Sequence, residues 1–260
     1  MSKALDLQTQ EHFDHVSGAY YGIVDRVWYD VGYYHRREAR FVREHLSPGL
    51  GIAVDAGSGP GRHTALLATS CRKVVAVDIS RSMLEVARQR LTSEARDRVD
   101  LIQADIRYFP LRDCVADAIV NLEVLEHLPR SKEDVPATIR EFRRIVRPQG
   151  LLMMEAPLLR HRALRTIYPF GPTWKEIPRE TIKEIYIKHP LSISSEFLDE
   201  QIDHWLRLSG FLLIAKSFVR VLPAGLVERH PRLHLLDRLL ESVPIIRRLA
   251  REALWAVTPV

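Results

Sequence analysis

From Gly51 onwards, short apolar runs alternate with longer stretches in which apolar positions recur every three or four residues. Gly51–Asp55 is apolar up to its last position and enters a glycine-rich turn, after which Arg62–Thr69 has helical spacing. Val74–Asp78 is again apolar except at its end, and Met83, Leu84, Ala87 and Leu91 mark one face of a helix over Ser82–Leu91. Val99–Ala104 and Ala116–Asn121 predict a third and a fourth strand. Val135–Val146 reads as a helix stopped by Pro148 and Gly150, and Leu151–Glu155 as a fifth strand. Strands separated by helices in this rhythm predict an α/β fold. Its sheet is parallel, doubly wound and covered by helices on both faces, with right-handed crossovers.

The rhythm weakens at both ends. Asp6–Leu46 is mostly helical in period but carries Tyr20, Tyr21, Trp28, Tyr29, Tyr33 and Tyr34 at irregular spacing, and Ser47-Pro48-Gly49 ends it. Leu158–Ser194 interrupts the pattern, which resumes with a helix over Glu196–Leu208 and a strand over Phe211–Val219. Leu226–Trp255 reads as an amphipathic helical tail broken at Pro244. Its apolar stripe is Leu235, Leu236, Leu239, Leu240, Val243, Ile246, Leu249, Ala253 and Leu254, with Arg238, Arg247, Arg248 and Arg251 off it. The expected organisation is an N-terminal helical lid over 1–46, a cofactor-binding core over 47–157 and a substrate-side insertion over 158–194. The end of the core follows over 195–221, then the tail over 222–260.

Composition narrows this little. With 46% hydrophobic and 27% charged residues, the 260-residue chain is ordinary for a globular protein, and a disordered or collagen-like class is excluded. A net charge of +5 is compatible with a nucleic acid, an anionic membrane or an acidic substrate. Cys71 and Cys114 form no metal-spaced pair. With no signal peptide and no apolar run of the ~20 residues that span a bilayer, a cytoplasmic location is expected.

The densest chemistry lies in Val54-Asp55-Ala56-Gly57-Ser58-Gly59-Pro60-Gly61, a strand running through a turn into a helix. Glycines there let the backbone bend sharply and approach a ligand closely. A dinucleotide motif would need a further glycine where Arg62 stands, which disfavours a dehydrogenase. Asp55, just before the turn, could receive the amino group of a bound amino acid. Asp78, about 20 residues beyond the glycines, has the place of an acidic residue that grips ribose hydroxyls, although a helix cap would use it equally. Asp105 ends the third strand and could meet the exocyclic amine of an adenine.

These runs, VDAGSGPGRHTALLA, VVAVDISRSMLEVARQR, LIQADIRYFPLRDCVADAIVNLEVLEHLP and FRRIVRPQGLLMMEAP, resemble the class I S-adenosylmethionine methyltransferases. The likeness is greatest to the small-molecule branch that includes ubiquinone and menaquinone biosynthetic enzymes, and covers Gly51–Pro157. SEFLDEQIDHWLRLSGFLLIAKSF looks like that fold's last helix and closing strand pair. The resemblance implies a Rossmann-like, mostly parallel seven-stranded sheet and S-adenosylmethionine as cofactor. It implies that Asp55, Ala56, Gly57, Ser58, Gly59 and Gly61 surround the methionine portion, with Asp78 on the ribose. Ile79 and Met83 would lie beside the adenine, Asp105 and Ile106 at its edge, and Asn121-Leu122 on the pocket floor. Tyr21 could fold over the cofactor, its ring facing the sulfonium.

The acceptor is read from absences. Asn121-Leu122-Glu123-Val124 stands where adenine methyltransferases of this fold carry an Asn/Asp-Pro-Pro-aromatic run, and neither cysteine follows a proline. A flipped base is therefore disfavoured, and a small, hydrophobic or quinone- or lipid-like acceptor, methylated at carbon or oxygen, is expected. His127 is the candidate catalytic base. Glu123, Glu126 and His127 are similar to a divalent-metal set of certain O-methyltransferases, but the same text begins a helix in metal-free relatives, and no metal site is assigned. His161, Arg162, Arg165, Lys183, Lys188 and His189 could recognise an acidic acceptor or form a solvated face. The tail could pack on its own domain, join a homodimer or touch a membrane surface. Two other readings are kept: a non-catalytic cofactor-binding regulator or subunit, and an RNA methyltransferase.

Overall fold

The computed structural model describes residues 2–19, 33–128, 133–161, 196–222, 226–227 and 230–260. Helices α1 (Ser2–Ala19) and α2 (Tyr33–His45) precede the alternating core. There, β1 (Leu50–Ala56), α3 (Arg62–Ser70), β2 (Cys71–Asp78), α4 (Arg81–Arg90), the short α5 (Ser93–Arg96) and β3 (Val99–Gln103) follow one another. β4 (Ala116–Asn121), α6 (Asp134–Ile145) and β5 (Val146–Pro157) continue it, and α7 (Asp199–Leu208), β6 (Phe211–Val219), α8 (Leu233–Ser242) and β7 (Glu252–Pro259) complete it. The strands form one seven-stranded sheet in the order β3-β2-β1-β4-β5-β7-β6. β1 to β5 pair in parallel, and β7 runs antiparallel to both β5 and β6.

Two apolar layers hold the sheet. Val54, Val77, Ile119, Phe142, Leu152 and Trp255 belong to one, and Ala53, Leu67, Val74, Val120, Met153 and Leu254 to the other. Neighbouring positions of one strand fall in opposite layers, because successive side chains leave opposite faces of a sheet. The central strands are buried on both faces, which is why they read as unbroken apolar runs.

The C-terminal reading needs correction. The helical tail expected over 222–260 contains α8, but Glu252–Pro259 is strand β7, inserted between β5 and β6. Trp255 is fully buried there, its indole N–H donating to Asp203 at 2.7 Å and the Lys216 ammonium lying 5.1 Å from its ring. Ala253 and Leu254, placed on a helical stripe by spacing, point to opposite sheet faces. Periodicity does not separate a fully buried strand from a buried helix segment.

Only part of the expected apolar stripe faces inward in α8: Leu240 packs on the core. The helix's acidic residues Asp237 and Glu241 are buried, while Leu235, Leu236 and Leu239 are exposed. The described residues include no helix long and apolar enough to cross a membrane. The insertion from residue 162 onward lies outside the described residues, with Arg162, Arg165, Lys183, Lys188, His189 and the side chain of His161.

Candidate active site

The glycine turn sits at the carboxyl end of β1, where an open α/β sheet leaves a crevice beside its switch of strand order. Gly57 and Gly59 have φ of +79° and +49°. Behind Gly57 there is no room: a Cβ would come within 2.5 Å of Val124. In front of Gly59 nothing lies within 4 Å of such a Cβ, so the backbone borders open space. Gly61 serves packing, since its Cβ would press on Ala87 of α4 at 2.8 Å.

Asp78 closes the turn from β2. Its carboxylate accepts the Gly59 N–H at 2.8 Å and the Ser80 N–H at 2.9 Å. Burial pushes its pKa up to about 6, with nearby Asp14 adding to the rise and the backbone hydrogen bonds working against it. The cavity in front is lined by Gly57, Ser58, Gly59, Asp78, Ile79 and Met83 on one side. Ala104, Asp105, Ile106, Leu122, Glu123, Val124 and His127 line the other. Thr9 and Phe13 of α1 border it as well.

Several predicted positions lie elsewhere. Asp55 and Asn121 are buried beneath the turn and do not line the cavity. The Asp55 carboxylate accepts the Thr64 hydroxyl at 2.6 Å, burial raises its pKa to about 6, and Asn121 donates its amide to the Ala56 carbonyl at 2.7 Å. These bonds brace the turn from below. Ala56 and Gly61 are likewise outside the lining. Asp105 does line it, but the Arg107 guanidinium holds both carboxylate oxygens, at 3.0 and 2.5 Å, so an adenine amine would share that group. Tyr21 lies outside the described residues.

The N-terminal helix contributes residues that periodicity alone did not single out. Asp14 accepts the Ser80 hydroxyl at 2.5 Å and the Ser82 N–H at 3.1 Å, tying α1 to the first turn of α4. A carboxylate is favoured at that helix end. Phe13 meets the His127 ring edge-on, centroids 5.3 Å apart. We predict that Asp14→Ala weakens binding of S-adenosylhomocysteine about fivefold by loosening α1, since hydrogen bonds to a helix start contribute ~1 kcal/mol. Titration calorimetry measures this, and unchanged affinity would contradict the role given to α1.

Beside the cavity lies a buried charged cluster. His35 and Glu38 of α2, Arg62, Glu123, Glu126, Glu155 of β5, Arg220 and Glu252 of β7 compose it. His35 Nδ1 lies 3.0 Å from Glu38, and Arg62 contacts His35 and reaches Glu123 at 3.3 Å. Arg220 pairs with Glu252, and the Glu123 N–H donates to Glu155 at 2.8 Å. Glu123 and Arg220 both adopt left-handed backbone conformations, with φ of +56° and +67°. Burial, with repulsion among the carboxylates, raises the pKa of Glu155, and burial brings Glu126 up to about 8. Burial also keeps His35 neutral, helped by Arg62. Ligand atoms of His35, Glu38 and Glu123, and of Glu38, Glu155 and Glu252, fall within 4.8 Å of one another. Guanidiniums already supply counter-charge among them, and neither group unites Glu123 with Glu126 and His127. The signal in the sequence is a glutamate closing the apolar run LLMME and another opening the apolar run EALWAV.

Residues 54–154 match the model of a family described as a methyltransferase domain. A protein of Mycobacterium tuberculosis named "Probable S-adenosylmethionine-dependent methyltransferase" is 33% identical over 130 residues, covering 49% of this chain and 44% of that one. This stretch matches a methyltransferase domain and is similar to an S-adenosylmethionine-dependent methyltransferase. A demethylmenaquinone methyltransferase of Clavibacter sepedonicus is 27% identical over 184 residues, 68% of this chain and 71% of that protein. The structure of a SAM-dependent methyltransferase from Leishmania major superposes with a TM-score of 0.61 at 17% identity, over 98% of this chain and 83% of that one. That likeness shows the shared fold of the methyltransferase domain. The chain spans under half the length of the first curated relatives it matches.

Proposed function

We propose that the protein transfers a methyl group from S-adenosylmethionine to a small hydrophobic acceptor of quinone- or lipid-like character, at carbon or oxygen. The observation that carries this is the junction at which the Asp78 carboxylate takes the Gly59 N–H, at the mouth of a cavity walled by Ile79, Met83, Ile106, Leu122 and Val124. That cavity suits the cofactor: a buried carboxylate for ribose hydroxyls, apolar walls for a purine, and a glycine with open space before it. Gly57, Ser58 and Gly59 would hold the methionine portion, with Asp55 supporting them from beneath. Ile79, Met83, Asp105 and Ile106 would surround the adenine, and Leu122 the floor.

The cofactor supplies a methyl group on a sulfonium, a good leaving group, so the protein's task is alignment and exclusion of water. Thr9 and Phe13 cover the cavity, and Tyr21 is proposed to join them. His127 borders the cavity and is the proposed proton acceptor. The name of the Clavibacter relative supports a quinone-like acceptor, and the absence of base-methyltransferase motifs argues against nucleic acid. The reading includes a cytoplasmic location, with which two unpaired cysteines agree, and a monomer or homodimer.

Transfer of a labelled methyl group to a panel of demethylated quinones, phenols, carboxylic acids and RNA tests the proposal. Turnover is expected on the first classes. Tight S-adenosylhomocysteine binding with no turnover on any acceptor would favour a regulatory role, and methylated RNA would replace the acceptor class. His127→Ala should lower kcat about a hundredfold or more, while S-adenosylhomocysteine affinity changes by less than about threefold. Equal losses in both would make His127 a binding residue instead.

A further inference from the structure

α8 and the turn after it expose a surface that the methyltransferase reading does not use. In a helix packed for burial, leucines face the core and acids face water. α8 departs from this: Leu233 and Leu240 pack inward, but Leu235, Leu236 and Leu239 are 75%, 42% and 62% exposed, and Ile245, just beyond the helix, is 81% exposed. This orientation is pinned by polar bonds. Asp237 accepts the Leu222 N–H at 2.8 Å, and Glu241 accepts the Arg220 N–H at 3.1 Å and the Arg37 guanidinium at 2.8 Å. Both acids of the segment 231–251 are thereby buried, whereas Arg232, Arg238, Arg247, Arg248 and Arg251 are all exposed. Positions 232, 235, 236 and 239 share one helical face, so the leucines are flanked by arginines.

We propose that this surface docks the protein on an anionic lipid membrane, the leucines and Ile245 entering the acyl boundary and the arginines meeting lipid phosphates. Charge selects this occupant. A second copy of the chain would bring further arginines against Arg232 and Arg238 beside the leucines, whereas an anionic bilayer offers apolar depth together with negative charge. The surface also adjoins the active site: Glu241 holds the Arg220 backbone, and the Arg220 side chain pairs with Glu252 in the cluster beside the cavity. Docking does not depend on the acceptor proposed above, so the two fail separately.

Flotation of the full chain with lipid vesicles tests this. Binding is expected to vesicles mixing phosphatidylcholine with phosphatidylglycerol and not to phosphatidylcholine alone, and should weaken as salt rises. The pair Leu235→Ser with Leu239→Ser should lose about tenfold in vesicle affinity, and Arg238→Ser with Arg247→Ser and Arg248→Ser should lose the preference for anionic lipid. Thermal melting and S-adenosylhomocysteine affinity of both variants should match the native chain. No binding to anionic vesicles at low salt would overturn the proposal. So would binding insensitive to the leucine pair, or a stable native dimer that the leucine pair dissociates.

Discussion

Asp78→Ala is expected to weaken S-adenosylhomocysteine binding a hundredfold or more while the chain stays folded. In the proposed complex the carboxylate accepts ribose hydroxyls while it holds the Gly59 and Ser80 N–H groups. Hydrogen bonds to a charged group contribute ~1.5–3 kcal/mol each, so losing two exceeds the 2.8 kcal/mol or so that a hundredfold represents. The turn suffers as well, because two backbone donors lose their partner. A pH signature separates this from general damage. Burial sets the Asp78 pKa at about 6 in the free protein, and the ligand needs the ionised form. Affinity should therefore be level above about pH 7 and fall as pH drops below 6, by up to tenfold per unit. Asp78→Asn, which cannot titrate there, should bind weakly with this acid limb gone. An acid limb of the same size in Asp78→Asn would assign it to another group.

Gly57→Ala should be nearly as damaging, for a steric reason. The residue sits at φ of +79°, and its new methyl would lie 2.5 Å from Val124 Cγ2. Left-handed backbone costs an alanine ~1–2 kcal/mol, and the overlap is relieved by moving either the turn or Val124, which itself lines the cavity. A drop of several degrees in melting temperature is expected, together with at least a thirtyfold loss of S-adenosylhomocysteine affinity; the affinity loss exceeds about 2 kcal/mol. Gly59→Ala is the contrast. Its Cβ meets no protein atom within 4 Å, so its melting temperature should fall only by the left-handed backbone cost at φ of +49°, less than for Gly57→Ala, and its affinity loss should come from contact with the ligand. If both variants bound like the native chain, the turn would not be the cofactor site.

The parallel half of the fold was legible because β1 to β5 are apolar and, except between β3 and β4, alternate with helices of regular period. Their observed ends depart by a few residues, as in Val146–Pro157 against the expected Leu151–Glu155. β7 was not legible. Its buried run Glu252–Val257 has no alternation to distinguish it from helix, and its neighbours in the sheet are distant in sequence. In the site, Gly57, Gly59, Asp78, Asp105 and His127, singled out by local pattern, and Ile79, Met83, Ile106 and Leu122, implied by the family resemblance, all border the cavity. Asp55, from the pattern, and Asn121, from the resemblance, lie one layer deeper, a distinction that depends on which way a strand's side chain faces. Asp14 and Phe13, and the pairing of Arg220 with Glu252, were beyond reach because they join segments that only the folded chain brings together.

Binding of S-adenosylhomocysteine to the full native chain, measured by titration calorimetry near neutral pH, tests the central claim most directly. One site per chain is predicted, with micromolar affinity, and the bound chain should melt at a higher temperature. Absence of binding by a chain that is folded by circular dichroism would contradict the account, and the glycine turn would then need another ligand.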